Sequence, residues 1–253
     1  MPALILARLA LLEARRGGLL WLAAFALAAA IALGGFFAAL AITEGRLVQA
    51  ALVAAILRIC AVFLLAAQVV ASIRREIDER RLEFTLALPV GRSTQYLGRL
   101  AGFAALGVLL AVAFSLPLFL WAPAAPVALW GASLAFELAL VAAAALFFAM
   151  TLAQHVAALA ATAAFYLLAR SMSALQAIAS GPLADESTWH ELGRRAVDGV
   201  ALLLPALDRV TRTEWLLYGA PDTRSYAMAL GAMVLYILLL AAAGLFDFAR
   251  RSA

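Results

Sequence analysis

The sequence predicts an all-α integral membrane protein with six transmembrane helices, and three observations carry that prediction. Of its 253 residues 67% are hydrophobic and 13% charged, where a soluble domain has roughly half and about a quarter. The apolar excess is gathered into runs of about 20 residues or more, the length an α-helix needs to cross some 30 Å of hydrocarbon. The charges gather between those runs, leaving Arg58 and Glu137 as the ionisable residues well inside them.

The first run, 18–42, follows Arg8, Glu13, Arg15 and Arg16 and is closed by no small-residue cleavage site, so it reads as a span rather than a signal peptide. Residues 3–12 before it are apolar between charges and suit a short helix lying in the interface. Gly34-Gly35 within it permits close helix packing. The second run is 47–73, the third 97–121, the fourth 127–152, the fifth 156–175 and the sixth 226–248. Two longer connections remain, 74–96 and 176–224. The runs show no repeat of the first three in the last three, which gives an inverted-repeat secondary transporter no support.

An even number of spans puts both termini on one side, and the distribution of Arg decides which. The side holding the termini and 74–96 carries eleven Arg against six acids, a net of +5; the other side carries seven Arg against eight acids, a net of −1. The termini and 74–96 are therefore expected in the cytoplasm and 176–224 outside.

Composition also excludes chemistries. All 19 basic residues are Arg, so neither a nucleotide-binding P-loop nor a Schiff-base enzyme, both of which need a Lys, resides in this sequence. The single Cys60 forms no internal disulfide, and His155 and His190 stand far apart with no His-Glu-x-x-His or Cys-x-x-Cys spacing. The expectation is a chain with no catalytic residue and no cofactor or metal of its own.

The outer connection, 176–224, contains two capping boxes, Thr188 to Glu191 and Thr211 to Glu214, each followed by apolar residues. They predict two or three short amphipathic helices ended by Gly219 and Pro221. Leu202, Leu203, Leu204, Trp215, Leu216, Leu217 and Tyr218 give these an apolar face to set on the spans, on lipid, or on an extracytoplasmic accessory protein.

The cytoplasmic connection is the most distinctive part of the chain. Glu76 with Arg80, and Glu79 with Arg75 and Glu83, stand at i, i+4 spacing and extend the second span as a helix. Phe84, Leu86, Leu88 and Val90 are too apolar for a free linker, and Pro89 with Gly91 turns the chain back toward the membrane. Such a segment is shaped to enter a groove on a soluble partner; its alternative is a solvated connector with snorkelling arginines.

The run Leu82-Glu83-Phe84-Thr85-Leu86-Ala87-Leu88-Pro89-Val90-Gly91-Arg92, followed by Tyr96-Leu97-Gly98-Arg99, resembles the coupling-helix signature of ABC-2 type transporter permeases. The six-span layout and the helical insertion before the last span are similar too. Arg80-Arg81 departs from the Gly-Thr that is common there. Leu204-Pro205 and Thr213-Glu214-Trp215 most resemble permeases associated with multicopper-enzyme and nitrous-oxide reductase maturation. The resemblance implies an ABC-2 exporter fold in a bacterial inner membrane, with a second copy of the permease, membrane lipids around it, and a dimer of separate ATPase subunits that hold ATP and Mg. It further implies that Glu76, Glu79, Glu83, Phe84, Leu86, Leu88 and Pro89 dock on the ATPase. Nucleic acid is not among the implied partners. The rival functions are a secondary transporter and a membrane-embedded enzyme working without an ATPase; the enzyme would need a base beside Ser115, Ser133 or Thr162.

Arg58 and Glu137 need an account, because an isolated charge at the centre of a span costs roughly 2.5 to 3.5 kcal/mol on insertion scales. Both lie about ten residues below the outer ends of the second and fourth spans, so equal depth permits an ion pair. The alternatives are that Arg58 snorkels or lines a cavity and that Glu137 is protonated.

The orientation is tested by cysteine labelling in intact cells on a Cys60→Ser background. Asp185→Cys is expected to react with an impermeant thiol reagent and Glu79→Cys to be shielded; the reverse pattern inverts the topology.

Overall fold

A computed structural model of the chain describes residues 12–13, 17–40, 45–79, 91–179, 188–219 and 222–250. All regular structure among them is helical, and six of the helices are long and apolar enough to cross a membrane. In chain order these are α1 (Leu19–Leu40), α2 (Gly45–Asp78), α3 (Arg92–Ser115), α4 (Ala124–Thr151), α5 (His155–Ala179) and, after the insertion, α8 (Thr223–Arg250). The insertion holds α6 (Thr188–Leu203), a 3₁₀ turn (Leu207–Arg209) and α7 (Glu214–Tyr218).

Each apolar run read from the sequence becomes one of the six long helices. α3 keeps its α form only to Ser115 and finishes as a 3₁₀ turn over Leu116–Leu120. Pro117 lies at the start of that turn, where its missing N–H and fixed φ end the regular ladder. Pro123 then caps α4 with an extended backbone. α5 runs four residues beyond its expected end at 175, to Ala179.

α4 is the axis of the bundle. It packs against α2, α3, α5 and α8, whereas α1 packs on α2 at the edge. The sequence explains the difference: α4 is apolar all round, the pattern of a helix surrounded by protein, and Ala142, Ala143, Ala144 and Ala145 are fully buried where neighbouring backbones come close. Two thirds of its most apolar window is buried, against 17% for α1. Trp130, Leu134, Leu138 and Leu146 fill the space around it with Phe114 of α3 and Leu57 and Leu65 of α2.

α2 has 34 residues, about 51 Å at 1.5 Å per residue, so it outreaches a hydrocarbon layer of about 30 Å. Its excess is the charged stretch predicted to prolong it, and Arg74 pairs with Asp78 one turn on at 3.5 Å. The Glu76 carboxylate accepts a charge-assisted hydrogen bond from Arg99 of α3, which is 5% exposed; Arg80, its expected i, i+4 partner, lies outside the described residues. The N-terminal Glu13 also sits here, accepting from Ser72 at 2.6 Å.

The second expected capping box does not form. Thr211 adopts φ +52, the left-handed region that a β-branched residue rarely enters, and Thr213 stands at the N-cap of α7 with no side-chain cap hydrogen bond. Gly219, at φ +97, ends α7 as expected. Part of the apolar face of the insertion rests on the spans: Trp215 and Leu216 are buried, with α7 against α2 and α4, while Tyr218 is exposed. Trp215 meets Tyr226 of α8 edge to face, and Tyr226 donates to Leu129 O of α4.

Two glycines of α8 make a matched test of this packing. A Cβ on Gly244 would run into the fully buried Tyr96 ring of α3, while one on Gly231 meets nothing within 4 Å. Gly244→Ala is expected to destabilise by about 1 to 3 kcal/mol and Gly231→Ala to be neutral or to stabilise by up to about 1 kcal/mol. Thermal unfolding in one detergent measures both.

Candidate functional site

The site is a polar cluster inside the bundle. Arg58 on α2, Glu137 on α4 and Tyr166 on α5 each stand 13 residues from the insertion-side end of the helix, at Gly45, Ala124 and Ala179 respectively, or about 20 Å along the axis. Arg170 lies one turn from Tyr166 on the same face of α5.

Glu137 is completely buried. Its Oε1 accepts a 2.9 Å hydrogen bond from the Tyr166 hydroxyl and lies 3.9 Å from Arg170 NH1. Its Oε2 has no hydrogen-bond partner. The expected Arg58–Glu137 pair is therefore corrected: the cation that meets the carboxylate is Arg170. Arg58 turns instead to the insertion, donating from NH1 to Thr211 O at 2.8 Å.

The insertion requires these arginines. Between α6 and α7 the chain passes through the short 3₁₀ turn, an extended Val210 and the left-handed Thr211, a path in which Leu207 O accepts the Val210 N–H at 3.2 Å while Val210 O and Thr211 O have no backbone donor among the described residues. Leu207, Val210 and Thr211 are nonetheless buried, at 1% exposure or less. Buried carbonyls in such a setting must find donors from side chains. Arg170 supplies them: NH1 donates to Leu207 O and to Val210 O at 2.7 Å, and NH2 to Thr211 O at 3.3 Å. Thr211 O thus receives both guanidinium groups. Two cations and one carboxylate leave an excess positive charge, which the converging carbonyl dipoles offset. The planar five-donor fork of Arg suits this task where a compact ammonium would not.

Ser115, Ser133 and Thr162 donate to the carbonyls of their own helices, at Val112, Trp130 and Ala158. Among the described residues no three His, Cys, Asp or Glu side chains gather as a metal site.

Of the expected ATPase-docking residues, Glu76 and Glu79 lie at the other end of the bundle. Glu76 and Glu79 close α2, Glu79 through its N–H to Arg75 O, and Glu76 is held by Arg99. Glu83, Phe84, Leu86, Leu88 and Pro89 lie outside the described residues. Tyr166 and Arg170 were not singled out from the sequence. Their signal was present: Arg170 falls five residues inside the fifth apolar run, four positions after a Tyr, yet closeness to the end of the span assigns it to the outer surface. No protein-family model and no curated protein sequence matches the chain.

Double-mutant cycles on thermal stability distinguish the two arginines. Arg170→Leu with Glu137→Leu is expected to show a coupling of about 1 to 3 kcal/mol, and Arg58→Leu with Glu137→Leu less than about 0.5 kcal/mol. Equal coupling for both would mean that the two arginines share the carboxylate.

Proposed function

We propose that the chain is the membrane-spanning permease subunit of an ATP-binding cassette transporter of the ABC-2 type, an exporter that works as a homodimer over a dimer of separate ATPase subunits. The observation that carries the reading is the base of the α2–α3 hairpin. The coupling-like sequence 82–92 joins two helix ends tied by the half-buried Glu76–Arg99 pair. A push on the loop is therefore passed to both helices together, and α2 carries it about 30 Å along its axis to Arg58. There the Arg58 guanidinium holds the insertion through Thr211. ATP closure on the partner would thus reach the joint of α2, α4, α5 and the insertion without any nucleotide chemistry in this chain, whose basic residues are all Arg. The topology that suits this reading has both termini and residues 74–96 in the cytoplasm, in the inner membrane of a bacterium. The pair Glu76 and Arg99 positions the loop, while Glu79, Glu83, Phe84, Leu86, Leu88 and Pro89 are the residues proposed to meet the ATPase.

Purification of the full chain from its native membrane is expected to bring with it a P-loop ATPase whose turnover the permease stimulates. Glu83→Ala combined with Leu86→Ala should abolish the stimulation while leaving the melting temperature of the permease unchanged. An unaltered ATPase response in the double variant would make the loop a connector, and a chain that transports without any ATPase would point to a secondary transporter.

A further inference from the structure

The joint between α2, α4, α5 and the insertion leaves part of its hydrogen-bonding capacity unused by the protein. Glu137 Oε2, Arg58 Nε and the Thr211 hydroxyl are buried and have no hydrogen-bond partner among the described residues. The three converge. One guanidinium, that of Arg170, lies 3.9 Å from Glu137 and 3.3 Å from Thr211 O, and Arg58 reaches the same Thr211 carbonyl at 2.8 Å. Trp130 Nε1, also buried and unpartnered among the described residues, belongs to a residue seven positions before Glu137, which puts it two turns nearer the insertion on the same face of α4.

Buried polar groups in folded proteins find partners in the chain or in ordered water, and leaving several unmet in one place is costly. What would meet these follows from what each can do. A carboxylate oxygen accepts, the Nε–H and the indole N–H donate, and a hydroxyl does both. A cation on Oε2 would face Arg58 and Arg170, and an anion on Nε would face Glu137. Beyond the carbonyl dipoles, Asp208 of the insertion adds a second carboxylate within electrostatic reach of Arg170, so charge alone calls for no ion. A small neutral molecule that both donates and accepts fits the set, and the 3.9 Å between Arg170 and Glu137 is a polar separation of the kind that water bridges. We propose that the joint encloses ordered water, hydrogen-bonded to Glu137 Oε2, the Thr211 hydroxyl and Arg58 Nε and extending along α4 toward Trp130. Water held there lets the two guanidinium groups and the carboxylate shift against one another with no bond left unmet. The site rests on this inventory of donors and acceptors and is independent of the assignment as a permease.

Radiolytic footprinting of the full chain in lipid nanodiscs tests the site, because X-rays make hydroxyl radicals from enclosed water as well as from the bulk. Trp130 and Tyr166 are 0% and 3% exposed, and Phe114, the reference, is 1% exposed. After correction for intrinsic reactivity, X-rays are expected to oxidise Trp130 and Tyr166 severalfold faster than Phe114, whereas radicals generated in the bulk by peroxide photolysis should leave all three untouched. Thr211→Val, which keeps the branched shape and removes the hydroxyl, should lower the X-ray oxidation of Tyr166 severalfold, and Thr211→Ser should retain it. Trp130 and Tyr166 as inert as Phe114 would mean a dry joint, oxidation by bulk radicals would mean that solvent enters, and oxidation indifferent to Thr211→Val would place the water elsewhere; each overturns the proposal. So does a melting temperature that falls when gluconate replaces chloride at equal ionic strength, which would give the space to an anion. A protonated-carboxyl infrared band that disappears in Glu137→Gln overturns it as well, since Oε2 would then carry its own proton.

Discussion

Three carbonyl oxygens inside a membrane bundle set the terms for the rest of this fold. The chain between α6 and α7 descends among the spans with one short 3₁₀ turn, and among the buried Leu207, Val210 and Thr211 the Leu207 carbonyl has the Val210 N–H as a backbone donor while the other two have none among the described residues. An unmet backbone group in such a medium costs several kcal/mol. Arg170 and Arg58 meet them, and each arginine in turn brings a charge that must be offset at depth. Glu137, steadied by the Tyr166 hydroxyl, supplies the counter-charge from α4. The left-handed Thr211, which costs of order 1 to 3 kcal/mol, persists because both guanidinium groups hold its carbonyl. The insertion, α2, α4 and α5 are thereby one connected unit.

This arrangement divides the molecule into two polar ends joined by an apolar shaft. At one end Glu76 and Arg99 bind α2 to α3; at the other Arg58 binds α2 to the insertion. Between them α2 presents Leu57, Leu65, Val69 and Ile73 to the core as a continuous packed stripe. Packed interiors pass on displacement because they resist compression. α2 is accordingly the element through which the two ends feel each other, whatever drives the motion.

The six spans were legible in the sequence because hydrocarbon thickness imposes a length that irregular structure cannot imitate, and each long helix coincides with an apolar run. The prolongation of α2 was legible from its i, i+4 charges, whereas the Glu76–Arg99 pair across the hairpin was not, because such spacing reports partners on one helix only. Depth arithmetic placed Arg58 and Glu137 level with each other, and they are level. It could not say which cation faces the carboxylate, because depth fixes one coordinate and the rotation of each helix fixes the other. Arg170 was hidden for a related reason: position near the end of a span reads as surface, yet the insertion folds back and buries it. The Thr211 capping box failed on the same tertiary demand. Its pattern favours a helix start, and the arginines instead draw its carbonyl inward and force the backbone left-handed.

The alanine run of α4 has a consequence for anything this protein moves. Ala142 to Ala145 are wholly buried on the helix against which α2, α3, α5 and α8 pack. The middle of a single copy is thus solid, and opening a conduit there would strip α4 of four sets of contacts at once. Under the proposed role as a permease, a cargo would travel along the outside of the bundle, over a groove or between two copies, so that the wall of its path would be partly lipid or partly a second chain.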